Sequence, residues 1–412
     1  MSTAKVRAAA RAALPAVPAV YALLQGGYQA YVNRMGVLDP DVLEFQSIAR
    51  GMTLFTVFGG KREPLWPVLF VLPVRLLGDQ SPIAIRLIGV LGFVFMIVIF
   101  QLLAQELFGR TWSIIAAFAL AASPWLIFQA ARGLREETST ALTLLFCLGL
   151  IKPRLTGGRF VLLFALAGLT GLLRWDAMVM MLPVLLIALI RYRPHPAAWV
   201  LGPAVVVLMV GPLMLANYIQ NGDPLYHSNF HARFYRNVEF HDQPGFPTLT
   251  QMLTDGYATG PAITWTQYVL GLHSGGELLV RAVRSVGTIP VRVANLALFY
   301  PNYEHPRGLV ATVLRAPQAF LPYLLWVLGV VGGVSLLRGR AWPIPLILGG
   351  VVLTYSPIAE FVDFRLVLTV LPLLVLCDLE AIRVTQRYWG PALRAVAAAV
   401  AEPLTISTGA PC

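Results

Sequence analysis

Residues 81–105 read SPIAIRLIGVLGFVFMIVIFQLLAQ, with Arg86 as their single charge. A bilayer's hydrocarbon core needs roughly 20 apolar residues in a helix, fewer where helices pack inside a bundle. This stretch is therefore long enough to span, and it is one of ten candidates. The others lie at about 12–32, 111–129, 138–151, 159–173, 177–190, 197–218, 317–337, 341–357 and 364–382. Composition agrees: the 412 residues are 57% hydrophobic and 12% charged, with a mean hydropathy of +0.71. Soluble domains carry about a quarter charged residues. A soluble enzyme, a disordered chain and a peripheral amphipathic binder are all excluded. The expectation is an all-α polytopic membrane protein, one integral-membrane domain over residues 1–412.

The net charge of +11 does not point to nucleic acid. The basic residues stand singly or in pairs between apolar runs, with no stripe to follow a phosphate backbone. They fit the positive-inside rule instead. With a cytoplasmic N-terminus, ten spans place 14 basic and four acidic residues inside, against 17 basic and 16 acidic residues outside. Both termini are expected in the cytoplasm. The first span, preceded by Lys5, Arg7 and Arg11, reads as an uncleaved signal. Three cysteines make no disulfide framework, and Cys147 and Cys377 sit within apolar runs.

Two outside segments exceed the length of simple connectors. The first, 33–80, carries apolar stretches at 42–58 and 64–77, broken by Gly or Pro and flanked by charge. They read as helices lying in the membrane interface. The second, 219–316, is rich in aromatics, Pro and His, and its piece 276–300 also reads as interfacial. Function is expected on this extracytoplasmic face. No fixed-period repeat, phosphate-binding GxxxxGK[ST] loop, HExxH, CxxC pair or GxSxG element is present.

The most informative segment runs from Leu38 to Met52, with Asp39, Asp41 and Glu44 within six positions. A carboxylate there can accept a proton from an acceptor hydroxyl or amine, or hold a divalent metal against a phosphate. It can equally be structural: Asp41 as N-cap with Glu44 three residues on resembles a capping box. A second cluster, Arg132-Gly133-Leu134-Arg135-Glu136-Glu137, opens the fourth span. Its acids can stabilise a helix start against the dipole, or one Glu can join Asp41 while the arginines meet phosphate. Arg174-Trp175-Asp176 lies between two apolar helices, where charge is paired or functional. Asp363-Phe364-Arg365 opens the last span; Arg365 either pairs with Asp363 or Glu360 or forks onto a lipid phosphate. His227 and His231, with His241 and Asp242 nearby, make a weak zinc pattern without a four-ligand set.

The first loop resembles that of the GT-C membrane glycosyltransferases, in particular the protein O-mannosyltransferase and lipid A aminoarabinose transferase group. The shared features are an acidic residue, then Phe45, then Ile48-Ala49-Arg50. Lys61-Arg62-Glu63-Pro64-Leu65-Trp66-Pro67 is similar to the group's Lys-Pro-Pro-Leu-Tyr-Pro stretch, with Arg-Glu in place of one Pro. Arg86-Leu87 and Leu107-Phe108-Gly109 bracket the second span as in that group. The resemblance covers residues 10–190 well and the rest loosely. It aligns Asp41 with the group's catalytic Asp. Val42 stands where a Glu usually follows, so Asp39 and Glu44 remain rivals for supporting roles.

The resemblance implies an inverting glycosyltransferase that moves a hexosyl or pentosyl unit from a polyprenyl-phosphate donor to a lipid, glycan or protein acceptor. The implied catalytic residues are Asp41, Glu44 and Glu137. Asp39, Lys61, Arg62, Arg135, Glu136, Arg174 and Arg365 would bind substrate. No cofactor is required, and a Mg or Mn ion is compatible; the metal ligands are unspecified. The expected location is a bacterial plasma (inner) membrane, with the active site outside. The alternative is a secondary transporter or lipid flippase. It predicts broken helices, an inverted repeat and ionisable residues at mid-bilayer, whereas the ionisable residues here cluster at the outer border.

Overall fold

The structure is a computed structural model. It describes residues 13–35, 39–53, 57, 62–78, 81–152, 155–222, 224, 226–255, 263–300, 308–361 and 363–401. The helices are α1 (Val17–Val32), α2 (Pro40–Gly51), α3 (Leu65–Leu77), α4 (Ser81–Phe108), α5 (Arg110–Ala121), α6 (Pro124–Ala130), α7 (Glu136–Leu150), α8 (Gly157–Leu173), α9 (Trp175–Tyr192), α10 (Ala197–Asn221), α11 (Tyr226–Phe240), α12 (Leu249–Thr254), α13 (Gly275–Phe299), α14 (Gly308–Arg338), α15 (Pro343–Tyr355) and α16 (Val370–Ala401). The described chain is all-helical.

Four helical stretches are long and apolar enough to cross a membrane: Ser81–Phe108, Trp175–Tyr192, Ala197–Gln220 and Pro317–Arg338. A fifth arises if Arg110–Ala121 and Pro124–Ala130, which meet at 64°, count as one span. Ten full-length spans are thus not what the described residues show, and the reasons are local. Proline opens α6 and has no N–H to continue the preceding ladder, so the expected span at 111–129 bends at Ser123-Pro124. The stretch 138–151 becomes the 15-residue α7, nearly all of it buried against neighbours. The last expected span is split between a turn at Phe364–Val367 and α16.

The helices form a layered bundle. The long α4 lies against α1, α5 and α7. From α7 the packing passes to α8, and from α8 to α9 and α10. On the far side α14 lies along α16, with α15 and α13 against both. Glycine sets two of these approaches. A methyl at Gly332 of α14 would sit 1.8 Å from the Cys377 carbonyl oxygen, and one at Gly89 of α4 would sit 2.4 Å from the Ala130 carbonyl oxygen. Many large apolar side chains stay exposed on the outer helices, among them Val207, Leu208 and Ile219 of α10. Such a surface suits lipid rather than water.

Successive helices run up and down, so charged segments collect at two ends. One end gathers Glu106, Lys152, Arg340, Glu380 and Arg383. The other gathers α2, α3, the 131–135 corner, the α8–α9 junction and the 363–367 turn. There α2 and α3 form a small apolar unit, with Phe45, Trp66 and Phe70 fully buried around Leu134 and Leu173. Trp66 Nε1 donates to the Gly133 carbonyl at 3.2 Å, and Arg86 donates to the Ala131 carbonyl at 2.9 Å.

Candidate functional site

Helix α2 starts two positions earlier than a cap at Asp41 requires. Asp39 is the N-cap and accepts from the Asp41 N–H at 3.0 Å, with Pro40 in the first helical position. Proline is favoured there because its missing N–H has no partner to lose. The expected Asp41–Glu44 capping box is therefore corrected: Asp39 caps, and the Asp41 carboxylate is left to make other contacts.

Those contacts are arginines from distant segments. Arg365 Nη2 reaches Asp41 Oδ2 at 2.5 Å, and Arg62 Nη2 donates to Asp41 Oδ1 at 2.9 Å. The same Arg62 forks onto Glu44 through Nε at 2.9 Å and Nη2 at 2.7 Å. Asp39 holds Arg132 and lies 3.4 Å from Arg365 Nη1. Glu44, Arg62, Asp41, Arg365, Asp39 and Arg132 thus form one alternating string of charge. Burial pushes the Asp41 carboxyl up, but the Arg365 and Arg62 guanidiniums outweigh it and hold the group below the usual carboxylate value. Asp363 caps the 364–367 turn by accepting from the Arg365 N–H at 3.1 Å, and its Oδ2 lies 2.7 Å from Arg365 Nε. Arg365 is therefore paired with Asp363, as one reading of the sequence had it, and with the first-loop acids as well. The alternative partner, Glu360, instead lies 3.4 Å from Arg284.

A second buried pair lies beside this string. Glu63 Oε2 accepts from Arg135 Nη1 at 2.6 Å, and its other oxygen accepts from the Trp175 N–H at 3.2 Å. Arg135 also donates to the Leu173 carbonyl at 2.9 Å. A third group ties α9 to α15. Arg174 forks onto Asp176 at 3.1 and 2.7 Å and donates to the Tyr355 hydroxyl at 2.7 Å; that hydroxyl reaches Asp176 at 2.5 Å. These two groups line a cavity of about 250 Å3 roofed by Tyr235 of α11 and Trp265. Leu366, next to Arg365, lines it too.

The structure thus gathers Asp39, Asp41, Glu44, Arg62 and Arg365 in one string, and sets Arg135 and Arg174 on the cavity wall. Glu136 is buried and acts electrostatically on Arg365. Glu137 is fully buried; among the described residues neither of its oxygens, nor Oε2 of Glu136, has a hydrogen-bond partner. Glu137 lines neither the string nor the cavity. Lys61 lies outside the described residues, as do the side chains of His227 and His231. Among the described residues no group of three His, Cys, Asp or Glu side chains is arranged to hold a metal ion. Sequence reasoning passed over Glu63, whose neighbours were read as a proline-motif departure, and over Arg132 as the partner of Asp39. The signal available for Glu63 was an acid beside Lys61 and Arg62 at the start of the apolar stretch 64–77.

No protein-family model matches the sequence, and no curated protein matches it. Solved structures of GT-C membrane glycosyltransferases are similar to the chain over most of its length. The apo crystal structure of ArnT from Cupriavidus metallidurans shares 15% identity at a TM-score of 0.40, covering 86% of this chain and 78% of that one. ArnT from the same organism bound to undecaprenyl phosphate shares 16% at 0.40, covering 84% and 77%. The archaeal oligosaccharyltransferase AglB from Archaeoglobus fulgidus, in complex with an inhibitory peptide and a dolichol-phosphate, shares 16% at 0.49. There the match covers 98% of this chain and 53% of AglB, so the chain spans about half the length of AglB.

Proposed function

We propose that the chain is an integral-membrane inverting glycosyltransferase with ten membrane passes and both termini in the cytoplasm, acting at the extracytoplasmic face. Its donor is a sugar on a polyprenyl phosphate in a bacterial plasma membrane, and its acceptor is a lipid, glycan or protein. The observation that carries the reading is the 2.5 Å contact between Asp41 and Arg365, 324 residues apart in sequence. It sets a carboxylate suited to proton abstraction against a guanidinium suited to a phosphate, at the edge of a cavity large enough for a sugar unit.

In this mechanism Asp41 takes the proton of the acceptor hydroxyl or amine as its heteroatom attacks the anomeric carbon from the face opposite the phosphate. The bond from the anomeric carbon to the phosphate oxygen breaks, and the polyprenyl phosphate departs with the electron pair. Arg365, with Arg174 and Arg135 on the cavity side, neutralises the charge on that phosphate. Glu44 and Asp39 hold Arg62 and Arg365 in register, and Glu136 supplies negative charge behind Arg365. Glu137, buried without an ion-pair partner among the described residues, keeps no catalytic role in this mechanism. Arg365 is shared between base and phosphate. When the donor draws it from Asp41, the carboxylate loses an attracting cation and becomes a stronger base. Lys61, outside the described residues, is assigned to donor binding from the sequence alone. The reaction needs no metal.

The test is turnover of a polyprenyl-phosphate sugar by the purified chain in detergent, wild type against Asp41→Asn. Product from the wild type and its loss in the variant support the reading. Absence of product together with movement of the lipid across proteoliposomes identifies a flippase or transporter instead.

A further inference from the structure

Helix α13 presents three different faces. Ser285, Ile289, Val293 and Leu296 are buried in the bundle, whereas Leu279, Val280, Val283 and Val286 are exposed. Between these faces Arg281, Arg284, Thr288 and Arg292 recur every three or four residues and so share one side of the helix. With Ser356 and Glu360 they line a second cavity of about 120 Å3, beside the 363–367 turn.

The three arginines are not equally engaged. Arg281 is held by Glu239 and donates to the Pro357 carbonyl at 2.5 Å. Among the described residues Arg284 meets only Glu360, at 3.4 Å, with 69% and 60% of the two side chains exposed. A contact this open to water contributes little. Arg292 has no ion pair among the described residues and stands 5.6 Å from the centre of the Phe364 ring. The groove therefore offers two weakly engaged guanidiniums and a hydroxyl donor, a set that matches phosphate oxygens. An exposed apolar strip runs alongside on the same helix.

We propose that Arg284, Arg292 and Thr288 of α13 seat the phosphate of an anionic phospholipid, whose acyl chains lie along Leu279, Val280, Val283 and Val286. Charge complementarity selects an anionic head, and the adjoining apolar strip selects a lipid over a free ion. Arg281, fixed by Glu239, shapes the floor of the seat. Because Arg292 covers Phe364, the seated lipid braces the turn that carries Arg365. The seat does not depend on the transferase reading.

The experiment is native mass spectrometry and thermal melting of the full chain in detergent, with phosphatidylglycerol, phosphatidylcholine or inorganic phosphate added. Wild type is expected to retain phosphatidylglycerol over phosphatidylcholine and to melt higher with it. An Arg284→Gln/Arg292→Gln double variant should lose that preference about tenfold and lose the shift, while its melting temperature without lipid stays near wild type. An Arg284→Lys/Arg292→Lys pair keeps the charge and should retain part of both, which separates lost binding from a damaged fold. The proposal is overturned if the glutamine pair binds phosphatidylglycerol as wild type does. It is equally overturned if inorganic phosphate raises the melting temperature as much as the lipid.

Discussion

The two ends of the bundle use the same chemistry, arginine or lysine against carboxylate, in opposite surroundings. At one end Glu106 meets Lys152 at 2.9 Å and Arg340 at 3.3 Å, with 40% and 51% of those basic side chains exposed. At the other, Arg135 and Glu63 meet at 2.6 Å with 8% and 3% exposed. Exposed pairs contribute about 0–1 kcal/mol. Breaking a buried pair leaves an uncompensated charge and costs about 3–5 kcal/mol. Burying so much paired charge at one end is a poor route to stability, and it is where the sequence places the candidate chemistry. The contrast shows how a site can be told from a solvated rim without any ligand present.

The sharpest way to break the contrast is Asp41→Asn. Transfer should fall by about 10²–10⁴-fold, the range for loss of a general base, while melting falls only by what the Arg62 and Arg365 ion pairs contribute, because Asp39, not Asp41, caps α2. If Glu44→Gln abolishes transfer and Asp41→Asn does not, Glu44 is the base. Next in size is Arg135→Ala. It removes the buried guanidinium that Glu63 faces, leaving that carboxylate the Trp175 N–H contact, and should destabilise the chain by about 3–5 kcal/mol, read from thermal melting in detergent. A melting temperature unchanged from wild type would place the Arg135–Glu63 pair with the solvated rim.

Arg365 sharpens the comparison in a different way. Lysine keeps the charge but lacks the planar fork, so Arg365→Lys should raise donor KM and Arg365→Ala should raise it further. An alanine variant that melts lower with donor KM unchanged would make Arg365 an anchor of the 363–367 turn and nothing more. The shared guanidinium also predicts a pH signature. In the free protein Arg365 and Arg62 hold the Asp41 carboxyl low; with donor bound, Arg365 turns to the phosphate and the value rises. The acid limb of kcat, which reports the complex, should therefore lie at higher pH than the limb of kcat/KM, which reports the free enzyme. For stability the pH dependence has the same sign, with loss toward acid. The Asp41 contribution is complete above the ordinary carboxylate value of 3.8 and is lost as pH falls through the lowered folded value. Smallest of all, Glu106→Gln at the solvated end should change stability by less than about 1 kcal/mol.

By itself the sequence determined the class of this protein, an all-helical chain with helices apolar enough to cross a membrane. Apolar runs such as 81–105 require a lipid environment whatever they pack against, because their side chains exceed what a soluble core buries. The split of charge between the two sets of loops needs only the order of runs along the chain. Asp41, Arg135, Arg174 and Arg365 were legible as candidates because each charge borders an apolar run, where it must be paired or used. Tertiary structure alone decided the partners. Asp41 and Arg365 are 324 residues apart, Glu63 and Arg135 are 72 apart, and Arg174 and Tyr355 are 181 apart. No local periodicity encodes such meetings; they follow from which helices lie side by side. The cap at Asp39 and the bend at Ser123-Pro124 turn on single hydrogen bonds at helix ends, where a shift of two positions costs the sequence pattern nothing. Burial is a tertiary matter as well: the 15-residue α7 has most of its side chains covered by neighbouring helices, and hydropathy cannot distinguish that burial from lipid.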